Sequence, residues 1–263
     1  MSRRAFMAAS SALVLACLLA LWQAIIWINH VPPYILPGPA AVAQAIATRY
    51  PSLLDSFWIT TREAAGGLIA SIAAGLCVAL ILAQWRWLRQ TLYPYTILLQ
   101  TVPIVAIAPL IILWAGPGIL AVTVIAFIIS LPPIIANTTQ GLIGADENLI
   151  QLFVMQKATP AQILFKLRLP NALPNFFIGL RIAAGISVIG AIIGELFAGS
   201  VRVGEGGLGY AMIYASDQME TSYLFALVLA ATLLGFSFFF IVMFLEWLAL
   251  HKWHESSRPQ LAE

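Results

Sequence analysis

Long apolar runs separated by short polar breaks set the pattern of this chain. Residues 90–145 hold 56 consecutive positions without Asp, Glu, Lys or Arg, room for two membrane crossings of about 20 residues each. Similar runs predict six spans, over 6–28, 58–85, 92–115, 118–142, 173–198 and 223–250, since only helices satisfy their own backbone within lipid when no strand pattern is present. Gly116-Pro117 supplies the turn between the third and fourth. The expected architecture is an all-α integral membrane protein, one domain over residues 1–263, with a polar loop over 143–172 between the fourth and fifth spans.

Composition agrees. The chain is 61% hydrophobic and 9% charged, against roughly 25% charged in a soluble domain. Its net charge of +2 gives no support to nucleic-acid binding, but the placement of the basic residues is informative. Arg3, Arg4, Arg86, Arg89, Lys157, Lys166, Arg168, Lys252 and Arg258 fall at one set of ends, against Arg49 and Arg202 at the other. Basic loops resist translocation, so both termini and the 143–172 loop are expected in the cytoplasm. Trp22, Trp27, Trp58, Trp85, Trp87, Trp247 and Trp253 lie near span ends as interfacial anchors. Ser2-Arg3-Arg4 before an apolar run suits a secretory signal or a retained helix, and the length favours the helix. "VLAC" ending at Cys17 is a near lipobox, yet the residues after it stay apolar. Cys17 and Cys77 sit in apolar runs and suggest neither disulfide nor metal. His30, His251 and His254 form no ligand set with acidic residues.

The loop itself is unusual. In "QKATPAQILFKLRLPNALP", Thr159-Pro160-Ala161-Gln162 has a helix cap, a proline suited to the first helical position and the Gln of a capping box. Ile163, Leu164 and Leu167 then share a face; Pro170 is expected to end this helix and Pro174 to open the fifth span. Upstream, "NLIQLFVM" from Asn148 to Met155 is a second short helix with apolar residues on more than one face. Such a helix suits docking on a partner beneath the membrane, or resting on lipid headgroups.

Within the spans, Pro103, Pro109 and Pro132-Pro133 are expected to kink the third and fourth helices and free carbonyls that must face protein or water. Gln100, Thr101, Ser130 and Asn137 lie nearby and are candidates for a path or gate, against the alternative of ordinary helix packing. Arg181 and Glu195 in the fifth span are costly in hydrocarbon. About 21 Å apart along one helix, they need separate partners; Glu195 is expected near the outer gate and Arg181 in the cytoplasmic half. Arg62 and Glu63 are placed at the outer start of the second span, so Glu63-Ala64-Ala65-Gly66 is set aside. Gly204-Glu205-Gly206-Gly207-Leu208-Gly209 fits a dinucleotide fingerprint only by spacing, and lacks its strand-turn-helix context.

The loop resembles the cytoplasmic coupling loop of bacterial ABC importer permeases, whose pattern is Glu-Ala-Ala, then glycine, then Ile-x-Leu-Pro. Aligned on Leu169-Pro170, the glycine position holds Lys157, the acidic position Gln151 and the alanine positions Leu152 and Phe153. "ILPGPAAVAQAI", "LLQTVPIVAIAPLIILWAGPG", "NALPNFFIGLRIAAG", "VIGAIIGELFAG" and "GGLGYAM" resemble, in order, the branch serving nitrate, sulfonate or taurine, and thiamine-pyrimidine precursors. The resemblance implies a type I importer permease in the cytoplasmic (inner) membrane, a homodimer or a pair with a similar permease. It also implies ATPase subunits docked on Gln151, Leu152, Phe153, Met155, Lys157, Ala158 and Thr159, and an external binding protein. Gln100, Pro103, Ser130, Asn137, Arg181 and Glu195 would line the path or gate. ATP and Mg belong to the partner ATPase, because Gly-x-x-x-x-Gly-Lys-Ser/Thr is absent; no catalytic, metal or cofactor residue is expected here. An ion-coupled secondary transporter, with Glu195 as its carboxylate, and a metal-dependent membrane enzyme are the competing classes.

Overall fold

A computed structural model describes residues 3–198 and 206–251; Arg202, Glu205, Lys252, Trp253, His254 and Arg258 lie outside them. Every regular element among the described residues is helical: α1 (Arg3–Ile28), α2 (Pro39–Thr48), α3 (Tyr50–Gln84), α4 (Arg86–Leu99), α5 (Ile104–Ala115), α6 (Ile119–Ile143), α7 (Glu147–Met155), α8 (Pro160–Ile163), a π turn (Leu164–Arg168), α9 (Leu169–Ala198), α10 (Leu208–Asp217) and α11 (Thr221–Leu250).

α6 is the centre of the bundle, packed between α3 and α9. Lipid offers no hydrophobic drive between helices, so small residues that let backbones approach hold this centre together. A Cβ at Gly67 of α3 would lie 2.6 Å from that of Ala126, and one at Gly190 of α9 2.7 Å from the Ile129 side chain. Gly194, one turn on from Gly190, meets Val122 in the same groove. The Gly116-Pro117 turn before α6 forms as expected, with Gly116 and Gly118 at φ 79° and 119°, conformations glycine adopts without strain.

α3, α6, α9 with its preceding turns, and α11 are each long and apolar enough to cross a membrane. One expected span needs correction. The span predicted over 92–115 is broken: α4 and α5 meet at 96°. Pro103 lacks an amide and disfavours a helical conformation in the residue before it, while the Gln100 and Thr101 amides close a tight turn on Ile97 and Leu98. α1, 26 residues long, covers the first expected span. Among the described residues four other helices cross in full, or five with the bent pair taken as one.

Two prolines also behave differently from expectation. Pro170 ends no helix and Pro174 opens none; the helix runs from Pro160 to Ala198, 39 residues. The π turn puts the Leu169 amide on Leu164, five residues back, and this wider turn makes room for a proline ring that would strike the carbonyl of a tighter one. α6 likewise passes through Pro132 and Pro133 as one helical element, both rings buried in the bundle. Finally, α3 begins at Tyr50 and not near Trp58, so Arg62 and Glu63 lie about 18 Å inside it.

Candidate functional site

The 143–172 loop is built by its caps. The Asp146 carboxylate accepts from the Asn148 amide at 2.8 Å and starts α7. At its other end the Lys157 amide donates to Val154 (2.9 Å) and that of Ala158 to Phe153 (3.0 Å), the paired bonds of a Schellman ending. The residue at the turn is Lys157, at φ 57°, a left-handed conformation that glycine takes without the Cβ penalty. The backbone therefore has the shape for a glycine at the position where the sequence carries lysine. Thr159 then forms the expected capping box, its amide on Gln162 Oε1 (2.8 Å) and its hydroxyl accepting from the Gln162 amide (3.3 Å).

No residue of α7 is buried. Leu152 is 48% exposed, Val154 59% and Met155 81%; Gln151, Lys157 and Thr159 are exposed, while Phe153 and Ala158 are half-buried. A helix capped at both ends is thus held in shape while its apolar side chains have nothing to cover them. Ile163, Leu164 and Leu167 turn partly inward, with Lys166 outward. Arg168 reaches the Ala83 carbonyl at the end of α3 (3.4 Å) and ties the loop to the bundle.

The expected path residues separate into different roles. Gln100 faces a cavity of about 340 Å³ between the broken pair, α6 and α9, walled by Ile104, Ile107, Ile128, Pro133 and Ile182; Pro103 sits at the break as the cap of α5. Ser130 donates to the Ala183 carbonyl (3.3 Å) and bridges α6 to α9, whereas Asn137 donates to the Pro133 carbonyl within α6 (2.8 Å). Arg181 pairs with Glu246 of α11 and lies over the Phe239 ring at 5.7 Å, which gives it the separate partner its position required.

Glu195 is the hub of a buried polar cluster at the opposite end from the 143–172 loop. Its carboxylate accepts from Thr60 Oγ1 (2.6 Å) and from the Gly209 amide (2.6 Å), and the Leu208 amide donates to Thr60 Oγ1 (2.8 Å). Ser56 donates to the Gly206 carbonyl at 2.9 Å. The first amides of α10, which no helix can satisfy internally, are thereby met by α9 and α3. Glu63 lies against Glu195 and is only 3% exposed. Sequence reasoning missed Ser56, Thr60 and Glu63. Their signal was helical spacing: Ser56, Thr60, Glu63, Gly67 and Ser71 form one stripe of small and polar residues along an otherwise apolar helix.

Nearby, Arg49 pairs with Glu220 and stands 4.9 Å over the Tyr223 ring. Arg62 is exposed. Gly206 and Gly207 lead into α10, while Gly204 and Glu205 of the fingerprint spacing lie outside the described residues. Among the described residues no three His, Cys, Asp or Glu side chains gather as metal ligands; the His251 ring stacks on Trp247 at 4.7 Å.

The sequence model of the family described as "Binding-protein-dependent transport system inner membrane component" matches residues 68–248. A probable ABC transporter permease protein of Haemophilus influenzae is 35% identical over 240 residues, 91% of this chain and 94% of its own. The riboflavin transport system permease protein RibX of Chloroflexus aurantiacus is 33% identical over 92% of this chain and 89% of its own. The formylaminopyrimidine transport permease protein ThiX of Halalkalibacterium halodurans is 31% identical over 81% and 84%. In fold, the chain matches one from an inward-facing form of the MetNI methionine ABC transporter with a TM-score of 0.63 at 20% identity, over 77% of this chain and 98% of that one.

Proposed function

This chain belongs to the family of binding-protein-dependent transport inner-membrane components, a multi-pass ABC importer permease, and on that premise we propose the division of labour that follows. α7 docks into cytoplasmic ATPase subunits, which bind ATP and Mg and hydrolyse the nucleotide. An external binding protein delivers the solute at the α10 end. Two copies of this chain form the pathway, and the nine-to-two distribution of basic residues puts the 143–172 loop and both termini in the cytoplasm.

The observation that carries this reading is the uncovered α7. Its caps fix the helix, its apolar residues face outward, and the capping box and π turn that follow it run directly into α9, with Arg168 tying that turn to the end of α3. Movement of a docked partner is thereby passed as a rigid displacement to α9, whose far end carries Glu195 and the hold on α10. Gln100 and Pro103 at the broken pair, with Ser130, Asn137 and Arg181 on the helices beside it, belong to the part of the bundle that rearranges. The solute is a thiamine-pyrimidine-like heterocycle or a small anion such as nitrate, sulfonate or taurine. Riboflavin and formylaminopyrimidine in the names of relatives support the first, and a putative aliphatic sulfonates permease of Bacillus subtilis, 29% identical, the second.

The buried Glu63 and Glu195 favour a second reading, ion-coupled transport without ATP. Both Glu195 oxygens are already engaged by Thr60 and Gly209, which favours a structural task for that carboxylate. Purification from native membranes in mild detergent separates the two. A co-purifying ATPase lost in Leu152→Glu supports the importer; uptake into proteoliposomes by this chain without ATP overturns it.

A further inference from the structure

We propose that the outer end of this permease carries a subsite for a planar, uncharged heteroaromatic ring, in a cleft between the start of α3, α10 and α11. The inference rests on the importer reading above and narrows its substrate class.

The cleft has a volume of about 420 Å³ and is walled by Arg49, Ser52, Ser56, Tyr210, Tyr214 and Tyr223 among the described residues. That size is in the range of small-molecule sites. Tyr210 and Tyr214 are four residues apart on α10, hence on one face of that helix, and Tyr223 opens α11 across from them. Tyr214 is 47% exposed and Tyr210 half-buried, so α10 lends the hollow aromatic surface that stacks on an aromatic ring regardless of its substituents, while Tyr223, 7% exposed with Arg49 over its ring, closes the wall behind it. Among the described residues neither the Tyr210 nor the Tyr214 hydroxyl has a hydrogen-bond partner, leaving both for the polar edge of a heterocycle.

Charge points the same way. Arg49 is the cation lining the cleft among the described residues, and its guanidinium is already matched by Glu220 and laid over Tyr223. A small anion would have to compete with that carboxylate, whereas a neutral ring need not. The cleft also adjoins the place where Ser56 holds Gly206 and Thr60 holds Leu208, so a ring seated there contacts the segment that fastens α10 to the bundle.

The test is equilibrium binding to the purified full-length chain in mild detergent, with riboflavin as a fluorescent three-ring probe and formylaminopyrimidine and ethanesulfonate as competitors. Tyr214→Leu, at a half-exposed position, is expected to weaken riboflavin binding roughly tenfold and Tyr214→Phe by less than about threefold, since the stacking face is what matters. Tyr210→Leu should behave like Tyr214→Leu where it folds. Formylaminopyrimidine should displace riboflavin and ethanesulfonate should not. Equal affinity in wild type and Tyr214→Leu, displacement by ethanesulfonate, or no binding of either ring compound overturns the proposal. ATPase retention is scored in the same preparations: an ATPase retained beside unaltered ring binding sinks the cleft alone, whereas an ATPase absent from wild type sinks the importer reading.

Discussion

The two ends of this bundle use the same polar residue types for opposite purposes. At the loop end, Asp146 and Thr159 cap short helices whose apolar residues stay outside. At the α10 end, Thr60 and Glu195 are themselves inside, and cap a helix from the walls of the bundle. Caps on an exposed helix preserve a shape for something else to use, while caps delivered from a buried cluster fix one element to two others. On the importer proposal the exposed apolar face of α7 is the docking surface, and the buried Glu195 carboxylate holds α10.

The sharpest way to break this contrast is at α7. Leu152→Glu puts a charge where an apolar anchor is needed, and the predicted loss of ATPase association is about hundredfold. The membrane domain should keep its melting temperature, because Leu152 is 48% exposed and no residue of α7 is buried. Pull-down and thermal melting on one preparation decide it; a melting temperature that falls together with association would mean that α7 is part of the core.

At the other end the order reverses. Glu195→Ala strips acceptors from Thr60 and the Gly209 amide, and leaving buried donors unpaired costs about 1–3 kcal/mol. A lower melting temperature with ATPase association intact is expected, together with faster hydrogen exchange at Leu208 and Gly209. Unchanged exchange there would show that α10 is held by something else.

Arg181→Met should cost less, about 1–2 kcal/mol, because the Arg181–Glu246 pair is partly exposed and a part-exposed pair contributes less than a buried one. Adding Glu246→Met should recover most of the loss, and a double variant no more stable than the single would remove the pair from the account.

The contrast was only half legible in the sequence, for a physical reason. The loop end is local: Thr159 and Gln162 are three residues apart, and a capping box can be read from spacing alone. The α10 end is not. Thr60 and Glu195 are 135 positions apart, and a helical stripe shows which face of α3 is polar without showing what meets it. The same limit hid the Arg181–Glu246 pair, although the need for a separate partner was clear from distance along one helix. Proline was read correctly at Pro103, which stands at the bend of the expected span, and misread at Pro170 and Pro174, which are carried inside a helix behind the π turn. Whether freed carbonyls find other partners is decided by tertiary surroundings.

The smallest effect tests the loop end most finely. Lys157 holds φ 57° at the residue that closes the Schellman ending of α7, a conformation costing a side chain with a Cβ about 1–2 kcal/mol. Lys157→Gly relieves that cost but also frees the unfolded loop, and the net gain expected is about 0.5–1 kcal/mol. The gain should be local, seen as slower hydrogen exchange at the Lys157 and Ala158 amides with the global melting temperature unchanged. Lys157→Ala separates backbone from charge: it removes the ammonium and keeps the Cβ, so exchange at those amides should stay as in wild type. If the two variants slow exchange equally, the charge of Lys157 and not its left-handed backbone limits α7, and the glycine-shaped ending has no energetic consequence.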